Sequence, residues 1–210
     1  MTSSVPDGGI EPGAHVSDRW AQWRRDITLD EYHARFTKVQ ESGRNSHGEA
    51  DFIESYRPSS VLDAGCGMGR VAIELARRGF DVDGTDLDDD LLDFARRDAP
   101  HLTWVSGSLV DVALPRSYDL IAMPGNVMIF CRVADRAPIV QHLAAHLNPG
   151  GLLVAGFSLD DPSVRSDALT LAEYDQCAAA ARLTLADRFS TWDRAPYDGG
   201  NYAVSVHRIS

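Results

Sequence analysis

The chain has almost no lysine. Lys38 is the only one among 210 residues, and arginine supplies the rest of its 20 basic side chains. That skew reads as the codon usage of a GC-rich genome and not as a functional device. Cysteine is scarce as well. Cys66, Cys131 and Cys177 are an odd number without metal-type spacing, which argues against a disulfide framework or a zinc site. They read as reduced thiols in a cytoplasmic protein, and no metal is expected. No apolar run approaches the roughly 18 residues of a membrane span. The stretch 1–15 is rich in Gly, Pro and Ser and lacks the basic start and apolar core of a signal peptide. Positive charge is in deficit too: 31 acidic side chains leave a formal net charge of −11. That balance repels polyanions and disfavours a long nucleic-acid substrate.

What is present is an ordinary globular composition, 44% apolar, in a chain long enough for one full core. Residues 1–16 read as a loose tail. Over 17–57 Trp20, Trp23, Ile27, Tyr32, Phe36 and Val39 recur at roughly helical spacing. Asp30 is the candidate cap of a second helix there. A short helix over 49–56 ends before Pro58. From 58 to 210 strand and helix alternate, with strands at 60–64, 80–86, 102–105, 118–123, 151–157, 183–192 and 202–207. The helices between them fall at 68–78, 88–98, 132–147 and 168–180. This rhythm predicts an α/β fold with a doubly wound, seven-stranded, mostly parallel sheet. The connection over 193–201 is too short for a helix, so the last strand should run antiparallel.

The densest signal is Val61-Leu62-Asp63-Ala64-Gly65-Cys66-Gly67-Met68-Gly69-Arg70. A buried strand ends in an acid, a glycine turn follows, and a helix begins. Such a turn brings bare backbone to a ligand at the carboxyl ends of the strands. Asp86 ends the second strand, where a carboxylate can accept from both hydroxyls of a ribose. Ser108 and Leu109 follow the third strand end, and Met123, Pro124 and Asn126 the fourth. The glycine spacing, with Arg70 in place of a third glycine, and Asp63 both depart from a dinucleotide fingerprint.

VLDAGCGMGR at 61–70, GTDLDDDLLDFAR at 84–96, SYDLIAMPGNVMIF at 117–130 and LNPGGLLVAGF at 147–157 together resemble the class I S-adenosylmethionine-dependent methyltransferases. The resemblance covers the chain from about residue 49 to its end and implies a Rossmann-like core with S-adenosyl-L-methionine as cofactor. Asp63, Gly65, Cys66 and Gly67 would then hold the methionine moiety, and Asp86 the ribose. Leu87 would lie against the adenine, with Ser108 and Leu109 along its edge. The family often has an acid where Ser108 stands, and Asp111 is too far along to replace it. Met123 and Pro124 would approach the sulfonium.

The acceptor is less legible. Met123-Pro124-Gly125-Asn126 replaces the Asp/Asn-Pro-Pro-Tyr of exocyclic-amine methylation, and no Pro-Cys pair supports cytosine C5 chemistry. A small-molecule acceptor is the leading expectation, with Trp23, Asn126, Phe130, Phe157, Trp192 and Tyr197 as candidate contacts. Core packing is the competing reading for each aromatic. Tyr32 and His33 are weak catalytic candidates, and His15, in the tail, is weaker still. His142 and His146 share a helix face without a third ligand and read as solvated. The acids 86 and 88–90 read as a helix N-terminal cluster. Two other functions fit the same residues: a cofactor-binding protein or partner subunit without transfer, and an RNA or tRNA methyltransferase. A nicotinamide-dependent oxidoreductase is opposed by the glycine spacing. The oligomeric state is not encoded in any motif.

Overall fold

The computed structural model describes residues 15–34, 47–160 and 165–209. Two helices open it, α1 (Asp18–Asp26) and α2 (29–34). Next come α3 (Gly48–Glu54), β1 (Ser60–Ala64), α4 (Arg70–Arg77), β2 (Asp81–Asp86) and α5 (Asp89–Asp98). They are followed by β3 (Thr103–Ser106), β4 (Tyr118–Met123), the single turn α6 (Val127–Phe130) and α7 (Val133–Ala145). The chain closes with β5 (Leu147–Ser158), α8 (Leu171–Ala180), β6 (Leu183–Phe189) and β7 (Tyr202–Ile209). One seven-stranded sheet has the order β3-β2-β1-β4-β5-β7-β6. β7 pairs antiparallel with both β5 and β6, and the other neighbours pair parallel. The sheet and its reversed last strand are as the alternation and the short final connection predict.

Both faces of this sheet are covered at its centre, so β1, β4 and β5 are buried over most of their length. Successive residues feed two different cores. Val61, Leu120 and Val154 face α3 and α4, in company with Phe52, Ile53, Val71 and Leu75. Leu62, Ile121 and Leu153 face α7 and α8, with Ile139, Leu143, Phe157 and Tyr174.

Several helix starts are set by side-chain caps. Ser17 Oγ accepts from Trp20 N–H (3.1 Å), Asp88 Oδ1 from Asp90 N–H (3.0 Å), and Thr170 Oγ1 from Glu173 N–H (3.1 Å). The second helix begins earlier than Asp30 predicts: Tyr32 N–H donates to Thr28 O (2.9 Å), so the helix opens at 29. Expected β6 continues to 192, but pairing stops at Phe189. Helix α6 has no counterpart among the sequence expectations, because four residues carry no readable period. His142 and His146 are half-buried and tilted against each other, ring centroids 4.7 Å apart, and not fully solvated. The expected tail lies outside the described residues for 1–14, whereas His15 and Val16 are described.

Candidate functional site

β1 carries Asp63 to the sheet's carboxyl edge, where it is 1% exposed. Its Oδ2 accepts Ala72 N–H of α4 at 3.0 Å, and its Oδ1 is buried without a hydrogen-bond partner among the described residues. Burial pushes its pKa up to about 7, against the opposing pull of the Ala72 N–H and Arg70. The chain then turns sharply. Gly65 N–H and Cys66 N–H both donate to Thr85 O (2.8 and 3.0 Å), which binds the turn to the end of β2. Gly65 has φ +76°, and a Cβ there would stand 2.6 Å from Val127 Cγ2. A side chain at this position is excluded by both conformation and space. Gly67 also has a positive φ, but nothing lies within 4 Å of where its Cβ would be. The turn is therefore closed on the Gly65 side and open on the Gly67 side.

Asp86 joins the ends of β1 and β2. Its Oδ2 accepts Gly67 N–H at 2.7 Å and its Oδ1 accepts Asp88 N–H at 3.0 Å. Burial raises its pKa to about 6, while these backbone donors pull it down. Each oxygen has a further lone pair for a ligand hydroxyl. Ser108 Oγ accepts from Val110 N–H (3.3 Å) and Ser108 O from the N–H groups of Asp111 and Val112. Asn126, at φ +70°, accepts from Ser158 N–H through Oδ1 (2.7 Å) and so fixes the end of β4 to that of β5.

These strand ends open on a cavity of about 360 Å³, within the usual range for a small-molecule site. Asp63, Gly65, Cys66, Gly67, Asp86 and Leu87 line it. Ser108, Leu109, Pro124, Asn126 and Phe130 line it too, and Trp23 and Tyr32 face it from the N-terminal helices. Trp23 meets Tyr32 edge-on (5.5 Å) and tilts against Phe130 (5.7 Å). Arg70 lies in the wall, gripped by both oxygens of Glu49 (3.1 and 2.6 Å).

Other candidates lie elsewhere. Met123 is wholly buried in the core below the site. Phe157 is equally buried and packs on Tyr174 (4.9 Å). Trp192 lies on the opposite face, edge-on to Phe52 (5.2 Å), with its indole N–H donating to Tyr202 Oη (2.9 Å). Tyr197 donates to Gly200 O in the exposed final loop. His33 turns toward Asp98 (Nε2 to Oδ2, 2.6 Å) and Phe94, away from the cavity lining. Strand parity accounts for Phe157: it points to the face that α7 and α8 cover.

Cys131, Asp135 and Ile139 are among the cavity residues that escaped the sequence reading. His15, ranked low for its place in the tail, also lines the cavity. Asp135 and Ile139 are four apart on α7, and their shared helix face was the available signal.

A family model described as a methyltransferase domain matches residues 61–151. The solved structure of a TehB-like S-adenosylmethionine-dependent methyltransferase from Corynebacterium glutamicum is 32% identical. It superimposes with a TM-score of 0.77, over 86% of this chain and 97% of that one. The chain belongs to the S-adenosylmethionine-dependent methyltransferases. The cofactor of this family is S-adenosyl-L-methionine. Two curated methyltransferases are also similar. Magnesium-protoporphyrin O-methyltransferase of Rhodobacter capsulatus is 30% identical over 61% of this chain and 61% of its own length. An N,N-dimethyltransferase of Streptomyces venezuelae, named for dTDP-3-amino-3,4,6-trideoxy-alpha-D-glucopyranose, is 32% identical over 50% of this chain and 46% of its own. The methyltransferase chain thus spans about half of the curated relatives it matches. No described helix is long and apolar enough to cross a membrane.

Proposed function

We propose that this methyltransferase moves a methyl group from S-adenosylmethionine to a small-molecule acceptor, with both held in the cavity at the carboxyl ends of β1, β2 and β4. The observation that carries the reading is Asp63 Oδ1, a buried carboxylate oxygen in the cavity wall with no hydrogen-bond partner among the described residues. Such an atom is costly unless a cationic donor meets it, and the ammonium of the cofactor is one. The open side of Gly67 leaves room for ligand against bare backbone. Gly65 to Gly67 would hold the methionine moiety, Asp86 the ribose hydroxyls, and Leu87, Ser108 and Leu109 the adenine. Bound there, the cofactor supplies a methyl carbon activated by its sulfonium. The protein's part is to align the acceptor and exclude water. Trp23, Tyr32 and Phe130 supply apolar walls for that purpose, and Pro124 and Asn126 line the same cavity. The names of both curated relatives, one for a porphyrin and one for an amino sugar, favour a small acceptor.

Isothermal calorimetry with S-adenosylmethionine or its demethylated product is the test. Wild type should bind either, and Asp86→Ala should weaken binding more than about tenfold, the loss of one charged hydrogen-bonding group. No heat from a folded protein at millimolar cofactor would sink the reading. An unchanged dissociation constant in Asp86→Ala would remove the ribose role.

A further inference from the structure

Besides the glycine turn and the strand ends, the cavity is walled by Trp20, Trp23, Tyr32, Phe130 and Ile139, with one polar pair among them, His15 and Asp135. His15 Nδ1 stands 3.3 Å from Asp135 Oδ2. Asp135 is 5% exposed and is gripped by Arg132, Nε to Oδ2 at 2.6 Å and Nη2 to Oδ1 at 2.8 Å. We propose that His15, oriented by Asp135, takes the proton of the methyl acceptor, and that this acceptor is a compact, uncharged, flat molecule bearing an acidic hydroxyl, of the phenol class. The proposal rests on the methyl-transfer reading above.

Three observations select this chemistry. First, Arg132 and then His15 hold the Asp135 carboxyl below the ordinary range, so it stays anionic at neutral pH. A carboxylate beside Nδ1 favours the tautomer with its hydrogen there and leaves Nε2 as a base. Second, these walls offer no spare counter-charge. Asp135 has both oxygens engaged, and Arg70 is held by Glu49. Arg19 beside the Phe130 ring is paired with Asp160. A charged acceptor would enter among aromatic rings without a partner, which disfavours both acids and ammonium ions. Third, an uncharged hydroxyl is a weak nucleophile and needs a base, whereas the remaining walls are apolar and suited to a flat ring.

The proton step balances simply. The acceptor O–H bond breaks, its hydrogen joins Nε2, and its electron pair stays on oxygen. The resulting imidazolium faces the Asp135 carboxylate and returns its proton to water after product leaves. Other titratable groups border the same space. Burial pushes the Cys131 thiol up to about 12, so it holds its proton. Tyr32 faces in from α2, and Asp63 and Asp86, raised by burial to about 7 and about 6, occupy the glycine-turn end.

4-Nitrophenol is a suitable probe, because its phenolate absorbs visibly and it ionises near neutrality. Wild type would be loaded with demethylated cofactor, which permits no turnover, at a pH where the free probe is mostly neutral. The bound probe should appear as phenolate. His15→Gln should bind it within about threefold but leave it neutral. With S-adenosylmethionine, methyl ether formation by His15→Gln should fall about tenfold at about pH 6, where little of the free probe is ionised. The deficit should shrink as the medium ionises the probe. Asp135→Asn should show the same loss of bound phenolate with cofactor affinity intact. Equal phenolate signals in wild type and His15→Gln would overturn the role of His15. A protein that binds demethylated cofactor by calorimetry but not 4-nitrophenol would overturn the acceptor class. Failure of cofactor binding itself would instead remove the methyl-transfer reading beneath both.

Discussion

Asp63 is held where a carboxylate is least comfortable: 1% exposed, with one oxygen on the Ala72 N–H and the other without a hydrogen-bond partner among the described residues. Its pKa rises from 3.8 to about 7 as a result, chiefly through burial. The sign of the consequence follows from proton linkage. Between these values the folded protein keeps a proton that the unfolded chain has lost, so stability falls as pH rises through this window and levels off above about 7. Asp63→Asn removes that dependence. The melting temperature of Asp63→Asn relative to wild type, without cofactor, should therefore climb between about pH 4 and 7 by several degrees and then stay flat. A difference constant over that range would mean that the carboxyl is ionised throughout. Sequence reading could place Asp63 at a strand end from its neighbours alone. It could not find the unpartnered oxygen, because that depends on what α4 and the glycine turn do around it.

Among elements, the strand ends and the N-terminal helices were legible to different degrees. β1 and β4 announce themselves by the apolar residues ahead of Asp63 and Met123-Pro124, and β2 by its place after the first crossover helix and its closing Asp86; a parallel sheet then leads each strand to the same edge. Phe157 went astray because a strand's side chains alternate faces: the sequence marks it as apolar but not which core it joins. Trp192 went astray because β6 ends at Phe189, before reaching it. His33 went astray for a helical reason, since α2 enters earlier than Asp30 suggests and aims that ring at Asp98. α1 is attached to the core by buried Trp20 and by polar contacts, among them those of Arg24. Its Nε reaches Asp88 Oδ2 at 2.9 Å and its Nη2 reaches Asp90 Oδ2 at 2.8 Å, joining α1 to the first turn of α5. Asp88 keeps its own capping bonds to Asp90 and Leu91 N–H without Arg24. Arg24→Ala should thus leave α5 and global unfolding nearly unchanged, while the attachment of α1 weakens by about 1.5–3 kcal/mol. Hydrogen exchange of amides over 18–34 should speed up, and cofactor affinity should fall severalfold if these helices cap the site. Unchanged exchange would show that Trp20, Trp23 and Tyr32 hold the helices without help.

At the scale of the whole molecule, charge decides between acceptors that the cavity alone does not separate. Binding a structured RNA requires arginines or lysines free to displace counterions from phosphates. The chain has 20 such side chains against 31 acids, and many of the described ones are already committed. Arg78 reaches Asp51, Glu54 and Glu74, Arg116 reaches Asp81 and Asp83, and Arg188 reaches Asp175. Arg136, 1% exposed, is locked to Glu173 inside the fold. Freeing any of them for phosphate would leave a carboxylate behind, adding repulsion to the loss of the pair. The fold is shared by methyltransferases of many substrates, so the sheet order says nothing on this point. Fluorescence anisotropy of labelled bulk tRNA, at about 0.15 M salt, should therefore show no binding at micromolar protein with demethylated cofactor present. Lowering the salt should bring at most a weak, shallow response. Tight binding that collapses steeply as salt rises would restore an RNA acceptor and require a basic face that these ion pairs do not leave.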